Sequence, residues 1–368
     1  MEVGAACYLR TVRPILTNVP SQRVGPVAEL PALLDELGVS LDRAFAGSGI
    51  APDQLLPEAR FPYPSLAGLI ERCARLADCP HFGLLLGARS DHRALGLIGE
   101  MMASAPTLGD AFRDYVGLQI DYSRGAVVYL QRSGDDYIVG YGLYDAGTGP
   151  DHQIHGRQVH DLVVAIGCNM VRALTAGRAQ PLRVLESVGP PDNAAPYRST
   201  LKTTLAFDQE QTGIVIAGHE MAMPLPGADP VRRLQLRTAI QNMMSGDLEN
   251  IAAQVRHAIR PRLMLDEANR TAIARELNIE PRTLARHLAR AGTSFEAIKD
   301  EVRFTVAREL LALTRLPIGR VAEALSYSAH SSFDHAFRRW AGVAPSQWRV
   351  EQDREEHAAN RSAAQNGA

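Results

Sequence analysis

The chain has 368 residues, of which 46% are hydrophobic, so it can build globular cores and is not an intrinsically disordered protein. Its net charge of −2 gives no sign of a nucleic-acid partner for the chain as a whole. The charge is unevenly distributed, however, because residues 255–350 hold 16 Lys and Arg against 10 Asp and Glu, which makes a basic C-terminal third of about +6 after an acidic body.

Cysteine use and hydropathy indicate the compartment. The four cysteines are irregularly spaced without a CxxC pair, so neither a disulfide framework nor a zinc site is indicated: Cys7, Cys73, Cys79 and Cys168. The N-terminus lacks a basic-then-apolar signal pattern, and no apolar run approaches the ~18 residues that span a bilayer. We therefore expect a reduced, cytoplasmic protein without a membrane partner.

The N-terminal part is predicted to be a mixed α/β domain. Residues 1–25 have few periodic apolar positions and are expected to be a flexible lead-in. Apolar residues at helical spacing then predict helices, the second with Ser65 as its N-cap. These helices run from Glu29 to a stop at Gly38, and over Ser65–Asp78, His81–Ala88, Leu95–Ala103, Leu108–Ile120 and Asp151 to about Ala176.

Strand signals interrupt the helices. Short β-rich runs at Ala126–Gln131 and Tyr137–Leu143 are joined by Ser133-Gly134-Asp135-Asp136, which predicts a hairpin. Further strands are expected at Leu182–Glu186, Thr203–Phe207 and Gly213–Ile216.

A proline-rich segment indicates the boundary between the domains. Pro224–Pro230 holds three prolines and a glycine, and a connecting helix is predicted at Val231–Met244. We therefore divide the chain into an effector or dimerisation domain (26–230), a linker helix (231–246), a DNA-binding domain (247–350) and a disordered polar tail (351–368).

Within Thr271–Arg349, one pattern of helix, tight turn and basic helix occurs twice. The first copy reads TAIARELNIEPRTLARHLARAG and the second IGRVAEALSYSAHSSFDHAFRRWAG. The second helix of each copy has an apolar pair for its buried face, Leu284 with Leu288 or Phe333 with Phe337. This is the arrangement of a helix-turn-helix, whose second helix enters the major groove of DNA. Two copies predict a protein that binds two successive turns of DNA, one with each unit.

The first recognition helix is predicted to open at Pro281, after a turn at Asn278 and Ile279. Its face opposite the leucines carries Arg282, Thr283, Arg286 and Arg290. Arginine can grip guanine O6 and N7 in a bidentate manner, which discriminates between bases by about 1–3 kcal/mol. An arginine face that is merely solvated is the alternative for a single helix, but repetition of the whole motif favours DNA.

Between the units, Ser294–Thr314 has apolar residues every three or four positions and is predicted to be one amphipathic helix. About 20 residues span roughly 30 Å, close to the ~34 Å rise of one DNA turn. Such a connector would present both recognition helices to one face of a duplex. Pro317 and Gly319 then break the chain before the second unit.

The second unit carries specific residues, namely Ile318, Val321-Ala322, Leu325-Ser326-Tyr327-Ser328, Ser332-Phe333, Phe337-Arg338-Arg339-Trp340, Gly342, Pro345 and Trp348-Arg349. This run resembles the signature of the AraC/XylS family of bacterial transcription regulators. The resemblance covers Asp247–Arg349 and includes Gly292, Phe295, Arg303, Ala307 and Leu310-Leu311 between the units. It implies an all-α domain of seven helices, with two helix-turn-helix motifs joined by a long helix, that binds promoter DNA.

Carried over position by position, the resemblance implies base-facing residues on both recognition helices. In the first helix they are Arg282, Ala285 and Arg286, to which we add Thr283 and Arg290. In the second helix they are His330, Ser331, Ser332, Asp334 and His335, to which we add Arg338.

Two departures concern the second unit. The family commonly has glycine where this chain has Ser326, and a left-handed serine there would cost about 1 kcal/mol. The family often has arginine in place of His335 and a small hydroxyl residue in place of Asp334. An acidic residue near phosphate is unfavourable, although it can accept from cytosine N4. We therefore expect the first unit to read DNA more tightly than the second.

The N-terminal part resembles the arabinose-binding-like effector domain of regulators of the ornithine-utilisation type. The residues that carry this resemblance are Leu97-Ile98-Gly99, Ala105 to Ala111, Pro224-Leu225 and Ala228-Asp229-Pro230. They do not identify an effector or its pocket.

Other chemistry has weaker support. His152 and His155 would be neighbours on a helix, but His160 lies off their face, so solvated or ligand-lining histidines are favoured over a metal site. Ala46-Gly47-Ser48-Gly49 fails the nucleophile-elbow pattern, and Gly213 to Glu220 fails the P-loop pattern. We therefore expect neither catalytic residues nor a cofactor.

The predicted function is that of a sequence-specific transcription regulator, with an α+β fold overall, controlled by a small-molecule effector in its N-terminal domain. The resemblance favours an activator that acts with RNA polymerase, and a homodimer is compatible with it. Two alternatives stay open: an N-terminal domain that is only an oligomerisation scaffold, and an enzyme fused to a DNA-binding module.

Overall fold

The computed structural model describes residues 21–122, 126–143, 156–244 and 251–352. Residues 1–20 of the predicted lead-in, His152 and His155 of the histidine group, and most of the polar tail lie outside the described residues. The described part confirms the predicted fold class, a mixed α/β N-terminal region followed by a helical C-terminal region.

The N-terminal region is built mainly of helices. In chain order these are α1 (Leu30–Glu36), α2 (Leu41–Phe45), α3 (Tyr63–Leu76), α4 (Phe82–Gly87), α5 (Leu97–Ala103), α6 (Leu108–Tyr122), α7 (Arg157–Leu174), α8 (Ala195–Leu201), α9 (Gly218–Met221) and α10 (Pro230–Met244). Helix α1 stops where predicted, because Gly38 adopts a φ of +69° just beyond it.

The prediction that Ser65 caps the second long helix is wrong. Helix α3 starts two residues earlier, directly after Pro62, and Pro64 lies in its first turn. Proline is tolerated there because the first helical N–H groups have no partner within the helix. The helix predicted from Asp151 is described from Arg157 onward, and its first five predicted residues belong to a stretch outside the described ranges.

Strands form two sheets. Strands β1 (Ser21–Arg23) and β2 (Arg60–Pro62) pair with each other. The larger sheet contains β3 (Ala126–Ser133), β4 (Asp136–Leu143), β5 (Arg183–Leu185), β6 (Thr204–Ala206) and β7 (Thr212–Ile216), in the order β3-β4-β7-β5-β6. Only the β5–β6 pair is parallel among these described strands. The predicted hairpin is confirmed, with Gly134 at a φ of +64° in its turn.

The C-terminal region is all helical. Its helices are α11 (Ile251–Leu263), α12 (Arg270–Glu276), α13 (Pro281–Arg290), α14 (Phe295–Leu313), α15 (Ile318–Ala324), α16 (His330–Ala341) and α17 at 345–352. The described part therefore holds the seven helices that the resemblance implied. One apolar core joins them, and it includes the fully buried Leu284, Leu288, Phe333 and Phe337.

Strands β3 and β4 lie between the two cores. Side chains alternate across a strand, so neighbouring residues face opposite sides of the sheet. Val128 and Tyr141 pack into the N-terminal core, whereas Val127 and Tyr129 belong to the core of the C-terminal region. The outer face of β3 is thus covered by the helical region, whereas Ile138, Leu185 and Val215 form a separate apolar cluster.

Candidate DNA-binding surface

The first helix-turn-helix unit consists of α12 and α13. The Asn269 side chain caps α12 by accepting from the Ala272 N–H at 2.9 Å. Asn278 forms the turn with a φ of +56°, as its tolerance of the left-handed region predicts. Helix α13 begins at Pro281, the predicted residue.

The outer face of α13 is basic and unpaired. Arg282, Arg286 and Arg290 are exposed at intervals of four residues, on the side away from the buried Leu284 and Leu288. Within the described residues, none of these three guanidinium groups forms an ion pair. Thr283 and Ala285 are partly exposed beside them. Positive charge is therefore held on this face without an internal partner, as a phosphate or base contact requires.

The second unit consists of α15 and α16. Ser326 has a φ of +61°, so the serine does adopt the left-handed conformation that favours glycine. Its hydroxyl donates to the Leu263 carbonyl at 3.3 Å, which ties the turn to the end of α11 and offsets part of the backbone cost. Glycine could not make this contact, which gives a physical reason for the departure at this position.

The exposed face of α16 differs from that of α13. His330, Ser331, Ser332 and His335 are exposed. Asp334, however, forms an ion pair with Arg338 at 3.0 Å, one helical turn away. The aspartate charge that would repel phosphate is therefore compensated within the helix, and the Arg338 guanidinium is partly engaged by Asp334 rather than available to DNA. Both predicted residues lie on the helix, but as partners of each other.

Helix α14 joins the units. Its N-cap is Ser294, whose hydroxyl accepts from the Ala297 N–H at 3.2 Å. Its 19 residues extend about 28 Å at 1.5 Å per residue, consistent with the predicted connector. Arg260 of α11 donates to Glu309 of α14 at 3.2 Å, in a pair whose side chains are 10% and 6% exposed. The connector is thereby fixed to α11.

A charge network joins α12 to the N-terminal region through α10. Arg233 donates to both oxygens of Asp114 in α6, at 2.7 and 2.8 Å. Arg237, one turn further along α10, lies 3.9 Å from Asp114 and 3.8 Å from Glu276, the last residue of α12. Arg262 of α11 completes the network, 2.6 Å from Glu276. No local sequence signal indicated this network, because its members come from four separate helices.

A cavity of about 90 Å³ lies in the N-terminal region. It is lined by residues of β1, α3, α5, α6, α7 and the inner face of β3 and β4, and most of its lining is aliphatic. Tyr141 of β4 contributes to the lining, and its buried hydroxyl has no hydrogen-bond partner in the part of the chain that the structure describes. Sequence analysis left the effector site open, and this cavity is the candidate that the structure adds.

Buried acids cluster beside α7. Asp161 accepts from the Tyr197 hydroxyl at 2.6 Å, and Glu186 is fully buried nearby. Burial raises the pKa of Asp161 to about 7 and raises the pKa of Glu186 well above its ordinary value. His160 lies 2.5 Å from the Thr212 hydroxyl and 3.9 Å from Glu186, and burial lowers its pKa to about 4. Within the described ranges, His, Cys, Asp and Glu side chains form no group that could hold a metal ion.

Ser48, from the rejected nucleophile-elbow pattern, donates to the Phe45 carbonyl at 2.7 Å and so closes a local turn. In the parts of the chain that are described, no helix has both the length and the apolar character needed to cross a membrane.

Comparisons with known proteins agree with this architecture. Residues 38–225 match the family model described as the arabinose-binding domain of AraC transcription regulators, N-terminal. Residues 273–351 match a helix-turn-helix domain model, which contains both recognition helices.

Curated relatives are similar over most of the chain. The ornithine utilization regulator of Pseudomonas aeruginosa is 27% identical over 333 residues, covering 88% of this chain and 96% of that protein. The HTH-type transcriptional regulator VirS of Mycobacterium tuberculosis is 25% identical over 292 residues, covering 78% and 85%. A crystal structure of the transcriptional regulator CdpR from Pseudomonas aeruginosa aligns over 87% of this chain and 96% of that one, with a TM-score of 0.46 and 22% identity.

Proposed function

The chain belongs to the AraC family of transcription regulators that carry an arabinose-binding-type N-terminal domain, and from this premise we propose how it binds DNA and how that binding is controlled. Its relatives are transcription regulators and not enzymes. We propose that the chain binds promoter DNA in the cytoplasm through both helix-turn-helix units, with α13 and α16 in successive major grooves.

The observation that carries this proposal is the exposed face of α13. Three arginines one turn apart have no ion pair among the described residues, so their charge is available to phosphates and to guanine edges. Acids at i±4 could pair with these arginines along the helix, but position 278 is Asn, position 286 is itself Arg and position 294 is Ser.

We assign different roles to the two helices. Helix α13 anchors the protein and specifies sequence through Arg282 and Arg286. Helix α16 offers hydroxyl and imidazole groups, and its ion pair between Asp334 and Arg338 leaves little free charge, so it contributes a weaker contact that depends on DNA shape.

Control by a small molecule is proposed to act through a population shift. The N-terminal region contacts α12 and α11 through α10 and α6, so an effector that changes the N-terminal packing can change how the DNA-binding helices are held. An activator would use this change to recruit RNA polymerase.

We place a homodimer contact on α10. Its Val231 and Leu234 are 68% and 64% exposed and lie one turn apart, which is unusual for large aliphatic side chains on one helix. This observation also supports the second candidate function, in which the N-terminal region is only an oligomerisation scaffold. Saturable thermal stabilisation of the full chain by a metabolite would favour sensing over the scaffold.

The DNA assignment is tested by affinity measurements. A binding site is first selected from a random duplex library with wild-type protein, and dissociation constants are then measured by gel shift at one salt concentration. Arg286→Ala should weaken specific binding by about 1–3 kcal/mol, whereas His335→Ala should cost less. Arg320→Ala is the matched control, because Arg320 is exposed on α15 and already paired with Glu323 at 2.7 Å. If Arg286→Ala and His335→Ala both bind like wild type, these helices do not enter the groove.

A further inference from the structure

We propose that the cavity between α3, α6, α7 and the β3–β4 hairpin binds a small, uncharged and mostly hydrocarbon molecule whose single polar group meets the Tyr141 hydroxyl. The proposal deepens the effector control proposed above and rests on it, since it names the site and the chemical class of the effector. The family description contains the word arabinose, but the lining of this cavity suits a different kind of molecule.

The lining is dominated by aliphatic side chains from distant parts of the chain. Leu66 and Ile70 come from α3, Ile98 from α5, and Leu162 and Ile166 from α7. Apolar cavities of this kind stay free of water and take up apolar molecules. A volume of about 90 Å³ holds roughly four to six non-hydrogen atoms at the packing density of a protein interior.

Tyr141 contributes a buried hydroxyl to the site. The residue is 5% exposed, and its hydroxyl has no partner among the described residues, although a buried tyrosine hydroxyl normally has one. Gly167 of α7 leaves room for it, because a Cβ at Gly167 would lie 2.9 Å from the Tyr141 oxygen. Burial raises the pKa of Tyr141, so the group stays a neutral hydroxyl that can donate to an alcohol or carbonyl oxygen.

Charged and sugar-like molecules find few available partners in the lining. Its two glutamine side chains are already engaged, because Gln22 Nε2 donates to the Arg23 carbonyl at 3.3 Å and Gln119 Nε2 donates to the Ala126 carbonyl at 2.8 Å. Arg23 is the charged side chain of the lining, and it already donates to Glu58 at 3.0 Å and to the Ala94 carbonyl. A sugar would bring several hydroxyls into an aliphatic lining and leave most of them without hydrogen bonds, which is unfavourable.

The site is placed to influence the DNA-binding region. Tyr141 faces the cavity, while its neighbour Gly142 faces α14, where a Cβ would come within 2.9 Å of the Leu313 Cβ. In the same way Val128 lines the cavity and Val127 packs into the C-terminal core. A single layer of β-sheet, formed by β3 and β4, therefore separates a molecule in the cavity from α14.

Helix α6 repeats this arrangement. Its Tyr115 lines the cavity, while the carbonyl of Gly117, two residues along, lies 3.3 Å from His257 Nδ1 of α11, and a Cβ at Gly117 would lie 3.5 Å from Pro261 of the same helix. A molecule that displaces Tyr115 or Tyr141 by even a fraction of an ångström would move surfaces on which α11 and α14 rest, because packed interiors transmit strain.

The test uses the full-length protein and ligand-observed NMR with four probes: 1-butanol, cyclopentane, L-arabinose and L-lysine. We expect saturable binding of 1-butanol and cyclopentane and none of the two polar probes. Ala67→Leu, which fills the cavity from α3, should abolish binding of both apolar probes, whereas Ala88→Leu, at an exposed alanine, should leave it unchanged.

Tyr141→Phe keeps the ring and removes only the hydroxyl. It should weaken 1-butanol binding by about tenfold and leave cyclopentane binding within twofold, a pattern that a general loss of structure would not produce. Tyr141→Phe also keeps the proposal testable if Ala67→Leu does not fold.

Two kinds of failure are distinguishable. Absence of apolar-probe binding, binding of L-arabinose that Ala67→Leu abolishes, or equal effects of Tyr141→Phe on both apolar probes would each overturn the cavity proposal. Selection of a DNA site is measured in the same preparation. A wild-type chain that selects its DNA site but binds no apolar probe refutes this inference alone, whereas a chain that selects no DNA refutes the proposed function.

Discussion

The charges of Asp114 and Arg233, which belong to the network that leads to α12, should be coupled far more strongly than those of a neighbouring pair of the same type. Arg233 grips both carboxylate oxygens at 2.7 and 2.8 Å, and the two side chains are 8% and 21% exposed. The adjacent Arg232 pairs with Glu100 at 2.6 Å, but those side chains are 52% and 50% exposed for Glu100 and Arg232. The chain thus offers a buried pair and a solvated control on consecutive residues of α10.

The expected magnitudes follow from burial. Removing one partner of a buried pair costs about 3–5 kcal/mol, because the other charge is left without compensation. Arg233 keeps about a fifth of its side chain in solvent, so we expect a loss of roughly 2–3 kcal/mol for Asp114→Asn. A solvated pair contributes about 0.2–1 kcal/mol, which is the expectation for Glu100→Gln.

Double-mutant cycles measure the difference. Urea unfolding of Asp114→Asn, Arg233→Gln and the double variant gives one coupling energy, and the corresponding Glu100 and Arg232 variants give the other. We expect a coupling of about 2 kcal/mol in the first cycle and below about 1 kcal/mol in the second. Coupling energies that agree within about 0.5 kcal/mol would refute the argument from burial.

Two further predictions concern the contact of strand β4 with α14 and the buried acids beside α7. Gly142→Ala should loosen the contact with Leu313 and increase proteolytic cleavage between the two regions. Gly68→Ala should not, because a Cβ at Gly68 would meet open space. Equal cleavage of the two variants would contradict the tight contact at Gly142. Burial raises the pKa of Asp161 to about 7, whereas in the unfolded chain it is about 4. Between these two pH values the folded protein holds a proton that the unfolded chain has lost. The stabilisation from this group is therefore fully present below pH 4 and is lost as the pH rises towards 7. In urea unfolding between pH 4 and 7, the free energy of unfolding of wild type should therefore fall by up to about 1.4 kcal/mol per pH unit relative to Asp161→Asn. His160, whose pKa is lowered, contributes the opposite slope, but it does so in both proteins and cancels in the difference. A difference that does not change with pH would contradict this prediction.

Local signals explain why the DNA-binding region could be predicted. Proline at the start of α13, asparagine in its turn and the leucine pair are all read within about ten residues, and the structure places each as predicted. The turn at Ser326 was also predictable from the family pattern. Its compensating hydrogen bond to Leu263 was not, because that carbonyl lies 63 positions away in the sequence.

The N-terminal region depends on contacts that no local pattern encodes. The order β3-β4-β7-β5-β6 places a late strand between two earlier ones, and each strand signal is compatible with several orders. Helices α8 and α9, of seven and four residues, were not predicted, and the four residues of α9 make barely one turn. The cavity gathers side chains from four helices, from β1 and from the β3–β4 hairpin, so only the assembled fold reveals it.

Alternation along β3 and β4 separates two kinds of position. Residues that would recognise the effector and residues that dock α14 are adjacent in the sequence but point in opposite directions, as Tyr141 and Gly142 do. An inward-facing substitution therefore changes the cavity directly, whereas an outward-facing one changes the contact with α14 directly. For the cavity proposed above, the inward-facing positions of the hairpin are therefore the ones to vary when a different ligand is sought.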